Sequence, residues 1–86
     1  MNVKNEKLKN ACKAALLALQ KLGNSEYDDL RSKLKFVIGS YEFDKNPIGL
    51  YEFGEKALKV LNDLKKKNPK KISKKVITDL ETSLKP

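Results

Sequence analysis

Apolar residues recur along this chain at intervals of three and four, the spacing that gathers them on one side of an α-helix. Leu8, Ala11, Cys12, Ala15, Leu16, Leu19 and Leu22 form the first stripe, predicting a helix over about 4–22. Gly23-Asn24 ends it, because glycine readily takes the left-handed conformation that closes many helices. Ser25 is a good N-cap for a second helix over about 25–43. Glu26, Asp28 and Asp29 place negative charge at its start, where the helix dipole favours it. The stripe of this second helix is Tyr27, Leu30, Leu34, Val37, Ile38 and Tyr41.

Asp44-Lys45-Asn46-Pro47 is the clearest break in the pattern. Asn46 is a capping residue, and proline suits a first helical position, where its missing N–H costs little. The third helix is predicted over about 47–66, with Leu50, Phe53, Gly54, Ala57, Leu58, Leu61 and Leu64 on its face and Val60 widening it. Asn68-Pro69 repeats the start signal for a fourth helix over about 69–84, carrying Ile72, Val76, Ile77, Leu80 and Leu84; Ser73 offers a later start. Short connections favour antiparallel neighbours. The expected fold is all-α, a small antiparallel four-helix bundle, with helix three most central because its apolar face is widest.

Composition agrees with this pattern and narrows it. The chain's 86 residues make one domain, 1–86, with no room for a second independent core. An apolar share of 40% rules out a disordered chain, and four glycines with three prolines are too few for a turn-rich all-β protein. Cys12 is the single cysteine, so no intrachain disulfide forms and a reducing compartment fits best. The apolar run Ala14–Leu19 is too short for a signal-peptide core, and nothing nears the roughly 20 apolar residues of a membrane span. A cytoplasmic protein without membrane partners is expected.

Little in the sequence carries catalytic chemistry. The chain has no histidine, which removes the usual neutral-pH base and the commonest metal ligand. It has no glycine-rich phosphate loop. Cys12 sits inside an apolar stripe and reads as a packing residue. Glu52 and Glu55 share one side of the third helix, as in ferritin-like sites, but the histidine half of that motif is missing. They read as a solvated flank with Glu52–Lys56 and Glu55–Lys59 pairs. No enzyme, metal or cofactor is expected.

Two segments stand out as binding candidates. Gly39-Ser40-Tyr41-Glu42-Phe43 is echoed ten residues later by Gly49-Leu50-Tyr51-Glu52-Phe53, and four of the chain's six aromatics fall within these fifteen residues. Tyr41 and Phe53 belong to core stripes. Phe36, Phe43 and Tyr51 are harder to place inside, and together they suggest an apolar patch, rimmed by Glu42, Asp44 and Glu52, for a protein partner or a second copy of the chain. The competing reading is a packed corner in which the glycines let the helices approach closely.

The second segment is basic. Net charge is +8 overall, and residues 65–86 hold eight lysines against two acids. Lys65, Lys66, Lys67, Lys70, Lys71, Lys74 and Lys75 crowd the predicted start of helix four, an arrangement that attracts phosphate or another polyanion. Against nucleic acid stand a single arginine, Arg31, and the absence of any aromatic beside the run to stack on a base. A small interaction protein using the aromatic corner is therefore preferred over polyanion binding.

Overall fold

A computed structural model describes residues 3–23 and 25–85. Among these residues the chain forms four α-helices: α1 (Val3–Leu22), α2 (Asp28–Asp44), α3 (Ile48–Lys67) and α4 (Lys74–Leu84), with a 3₁₀ turn at Ser25–Tyr27. They pack as a small bundle, with a radius of gyration of 12.1 Å. A compact chain of this length is expected at about 12 Å.

Consecutive helices run antiparallel, as the short connections imply. Arg31 near the start of α2 donates to the Leu19 carbonyl near the end of α1, while Lys13 reaches Glu42 at the opposite end of α2. Gly49 opens α3 against Val37 of α2, and Gly54 lies against Leu80 and Leu84 of α4. α1 and α3 pack on each other, and each also packs on both α2 and α4. The centre is therefore shared. Helix three is not alone there, because the small residues Ala11, Cys12 and Ala15, all buried, let α1 settle equally deep.

Buried residues make one continuous cluster, built by α1 (Leu8, Cys12, Ala15, Leu19), α2 (Leu34, Val37, Ile38, Tyr41), α3 (Leu50, Ala57, Leu61, Leu64) and α4 (Ile77, Leu80), with Ile72 from the loop before α4. Most of the predicted stripe positions are here. Gly54 marks the tightest convergence: a Cβ at this site would meet Leu84 Cδ2 at 3.2 Å and Cys12 Sγ at 3.4 Å.

The helix ends differ from the expected ones in two places. Gly23 takes the left-handed conformation as predicted, with φ of 68°, while Asn24 lies outside the described residues. Ser25, however, opens a 3₁₀ turn, and α2 proper begins at Asp28, capped in position by Tyr27 without a side-chain hydrogen bond. The fourth helix starts at Lys74 after Ser73, not at Pro69. Asn68 ends α3, and its carbonyl accepts from Lys71 N–H at 3.0 Å, so Asn68-Pro69 makes a turn instead of a helix start. That turn is needed to bring Ile72 into the core before α4 begins.

The α2–α3 corner uses the predicted residues one position later: Pro47 holds the cap position and α3 begins at Ile48. Lys45 takes a left-handed conformation, φ 60°, and its N–H bonds the Tyr41 carbonyl at 2.7 Å. Asn46 Oδ1 accepts from Ile48 N–H at 3.1 Å, satisfying one of the free donors at the start of α3. Asn46 N–H in turn donates to Asp44 Oδ1 at 2.9 Å. This three-residue hinge fixes how the surfaces of α2 and α3 meet.

Candidate functional site

The two halves of the aromatic echo occupy different environments. Tyr41 is buried, whereas Phe43 is 92% exposed. In the second half Tyr51 and Phe53 are both half-buried and packed against the core. Gly49 lies so close to α2 that a Cβ would stand 2.8 Å from Val37 Cγ1, but Gly39 has open space where its Cβ would be. The repeat is one of sequence, not of structure.

Of the three aromatics expected on the surface, Phe36 and Phe43 are exposed and Tyr51 is half-buried. Phe36 is 72% exposed, and Phe36 and Phe43, seven residues apart, lie on the same side of α2. Tyr51 turns inward and leaves the patch. Its place is taken by Ile48, 69% exposed at the first position of α3. Phe36 and Ile48 both line a shallow cleft of about 260 Å³, together with Val37, Ser40, Asp44, Gly49 and Glu52. Sequence reasoning missed Ile48, although an isoleucine two residues before the Leu50 stripe and off its line was the available signal.

The acidic rim is uneven. Glu42 lies on the α1 side of α2, where its carboxylate meets Lys13 Nζ at 3.1 Å with both side chains about half exposed. The Lys13 ammonium holds Glu42 below the usual carboxylate range. Asp44 and Glu52 border the cleft on the α3 side. Glu55 does not border it, and Lys56, expected to pair with Glu52, lies instead over the Phe53 ring at 4.8 Å. The outer face of α2 thus carries two phenylalanines, with glycine and serine between them and charges along its flanks.

One polar contact behind this face is half-buried. The Tyr41 hydroxyl approaches Glu6 of α1 and holds its carboxyl below the usual range, with Lys9 and Lys45 assisting. Burial, together with Glu6, pushes the Tyr41 phenol up. Lys45 Nζ sits over the Tyr41 ring at 5.3 Å, which draws that ammonium toward the core side of α2 and away from the phenylalanines.

The lysine cluster gathers at the other end of the bundle. Lys65 belongs to the loop's own structure: its ammonium donates to the Pro69 and Ile72 carbonyls at 3.3 and 3.1 Å. Lys66, Lys67, Lys70, Lys71, Lys74 and Lys75 are exposed. Lys65–Lys67 in the last turn of α3 complement its dipole, but Lys74 and Lys75 open α4 in the unfavoured sense. Tertiary packing of Ile77 and Leu80 must therefore hold α4.

Cys12 is fully buried, its thiol pointing at the Leu50 carbonyl at 3.8 Å, and burial pushes its pKa up to about 12. A thiolate nucleophile does not arise in that setting. Among the described residues no three His, Cys, Asp or Glu side chains converge as a metal site would require, and no helix is long and apolar enough to cross a membrane. Compared with known proteins, the chain matches no family model, no curated protein and no solved structure.

Proposed function

We propose that this chain is a small non-catalytic interaction module that docks a protein on the outer face of α2 and the adjoining start of α3. The observation that carries this reading is the exposure of Phe36, Phe43 and Ile48, at 72, 92 and 69%, on one side of a small bundle. Large apolar side chains grouped in this way are the usual mark of a partner surface, and their burial supplies most of the binding energy at such sites. The open Gly39 supports it. A mid-helix glycine costs about 0.5–1 kcal/mol relative to alanine, and no packing within the chain requires one here.

Affinity capture with the wild-type chain and with Phe36→Ser/Phe43→Ser as baits tests the reading. Proteins retained by the wild type and lost with the double variant, at equal helicity, are the expected result. An identical set of retained proteins would refute it. The buried, unpaired Cys12 suits a reducing compartment such as the cytoplasm.

A second reading is polyanion binding by the loop between α3 and α4. It is supported by the six exposed ammonium groups that surround this loop and the start of α4. Retention on heparin and duplex DNA over a salt series tests it: affinity should fall steeply with salt, and no retention at about 50 mM would end it.

A further inference from the structure

We infer that the occupant of the α2 face is a second copy of this chain, docked antiparallel across a two-fold axis that passes close to Gly39. The inference rests on the reading of this face as a docking surface and goes further by naming what docks.

The face is complementary to itself when reversed. Lys33, four residues before Val37 and seven before Ser40, lies on the flank that faces α3, as does Asp44. Lys35, seven residues before Glu42, lies on the flank that faces α1, where Glu42 meets Lys13. Positive charge thus occupies the first half of each flank and negative charge the second. In a two-fold antiparallel helix pair, each flank meets the same flank of the partner, as in antiparallel coiled coils. Lys33 then stands opposite Asp44 of the other copy, and Lys35 opposite Glu42. Parallel docking would set like charges together.

The apolar positions share the same centre. Lys33 with Asp44 and Lys35 with Glu42 are each centred between Ile38 and Gly39, while Phe36 with Phe43 is centred between Gly39 and Ser40. All three midpoints fall within a residue of Gly39, where an added Cβ would meet nothing within 4 Å. At the crossing point of two helices the missing Cβ lets the backbones approach, and each Phe43 packs beside the other copy's Phe36. The Lys45 ammonium is held over Tyr41 and does not oppose Lys33 of the second copy. The chain carries +8 overall, yet this face holds Lys33 and Lys35 against Glu42, Asp44, Glu52 and, seven residues before Phe36, Asp29, so an acidic partner would be drawn instead to the exposed lysines at the far end of the bundle.

A contact made by one helix and the start of the next lies at the small end of specific interfaces, so association should be micromolar. Sedimentation equilibrium of the full chain from about 5 to 500 μM brackets that range. A reversible monomer–dimer equilibrium is expected. Gly39→Gln should keep its helicity, since the site is open, and remain monomeric. Lys33→Asp and Asp44→Lys should each weaken dimerisation at least about tenfold. An equimolar mixture of the two should recover the dimer, because both swapped pairs are again opposite in sign.

A wild type that stays monomeric across the range, a Gly39→Gln chain that dimerises normally, or a mixture that fails to recover would each overturn the inference. If the wild type is monomeric while capture still depends on Phe36 and Phe43, only the second copy is refuted and the docking reading stands. If neither self-association nor capture depends on these residues, both fall.

Discussion

Gly39 and Gly49 open the two halves of the same five-residue echo, yet the same substitution at each should have opposite effects. At Gly39 an added Cβ meets nothing within 4 Å. Gly39→Ala therefore removes a helix-interior glycine at no steric cost and should stabilise the monomer by about 0.5–1 kcal/mol, partly by narrowing the unfolded ensemble. At Gly49 the new Cβ would lie 2.8 Å from Val37 Cγ1 and 3.1 Å from Val37 Cβ. Val37 is only 7% exposed, and a β-branched residue inside a helix has essentially one rotamer to occupy, so it cannot swing aside. Relief must come from moving α2 against α3, and overpacking of this kind costs about 1–3 kcal/mol. The propensity gain at Gly49 is small, because it stands in the first turn of α3. Gly49→Ala should thus be destabilised by about 1–2 kcal/mol. Urea unfolding monitored by circular dichroism, at low micromolar protein so that the monomer is observed, reads both changes as shifts in midpoint. For a chain this size 1 kcal/mol corresponds to roughly 4–8 °C in Tm. A Gly49→Ala protein as stable as wild type, or a Gly39→Ala protein less stable, would refute the contrast between a closed and an open glycine.

Acid should weaken the fold through Glu6 and Glu42. Both have pKa values lowered in the folded state, by Tyr41 and Lys13 respectively, so their stabilisation is complete above the unfolded value of about 4.3 and is lost as pH falls through the folded values. The urea midpoint should drop below about pH 4.5, and Glu6→Gln should flatten the drop; a midpoint constant down to pH 3 would contradict this. Cys12 should react with a thiol reagent only through unfolding, at least about a thousandfold more slowly than in denaturant, given a stability near 5 kcal/mol; rapid labelling of the native chain would show the thiol to be accessible. Lys65→Met keeps the aliphatic stem but removes the donor to the Pro69 and Ile72 carbonyls. Thermal unfolding should report a loss of about 1 kcal/mol, and an unchanged Tm would mean that the loop does not depend on this ammonium.

How much of the fold was legible depends on where its signals reside. The stripes of α1, α2 and α3 recur over four or five turns, and a pattern that long survives any local exception. Leu8, Cys12, Ala15, Leu19, Leu34, Tyr41, Leu50, Ala57 and Leu61 are all buried, as their spacing required. Start signals are shorter. Asn46-Pro47 did open a helix, with Asn46 Oδ1 accepting from the Ile48 N–H at its start. Asn68-Pro69 did not. Ile72 stands three residues after Pro69, as Leu50 does after Pro47, but it reaches the core from a turn. Ser25 also lost its expected role: the chain tightens into a 3₁₀ turn before α2 proper begins, so its hydroxyl stands too early to cap α2.

The candidate surface was legible only by subtraction. A stripe tells which side of a helix faces inward, so any large apolar residue off the stripe must either meet a neighbouring helix or remain in water. Phe36 and Phe43 lie opposite Leu34, Ile38 and Tyr41 on α2, and no helix of this bundle covers that side; they stay exposed. Tyr51 sits beside its stripe on α3, close enough to pack, and is half-buried. The difference is one of angle on the helix, which the residue types alone do not carry. Gly39 belongs to the same logic. On the inner side a glycine marks close approach within the chain, as Gly49 and Gly54 do. On the outer side, between two uncovered phenylalanines, it weakens α2 and leaves the fold no tighter. Two exposed aromatics and a helix-interior glycine all disfavour the isolated chain, and they occur within eight residues of one face. The pairing proposed through α2 would use all three at once.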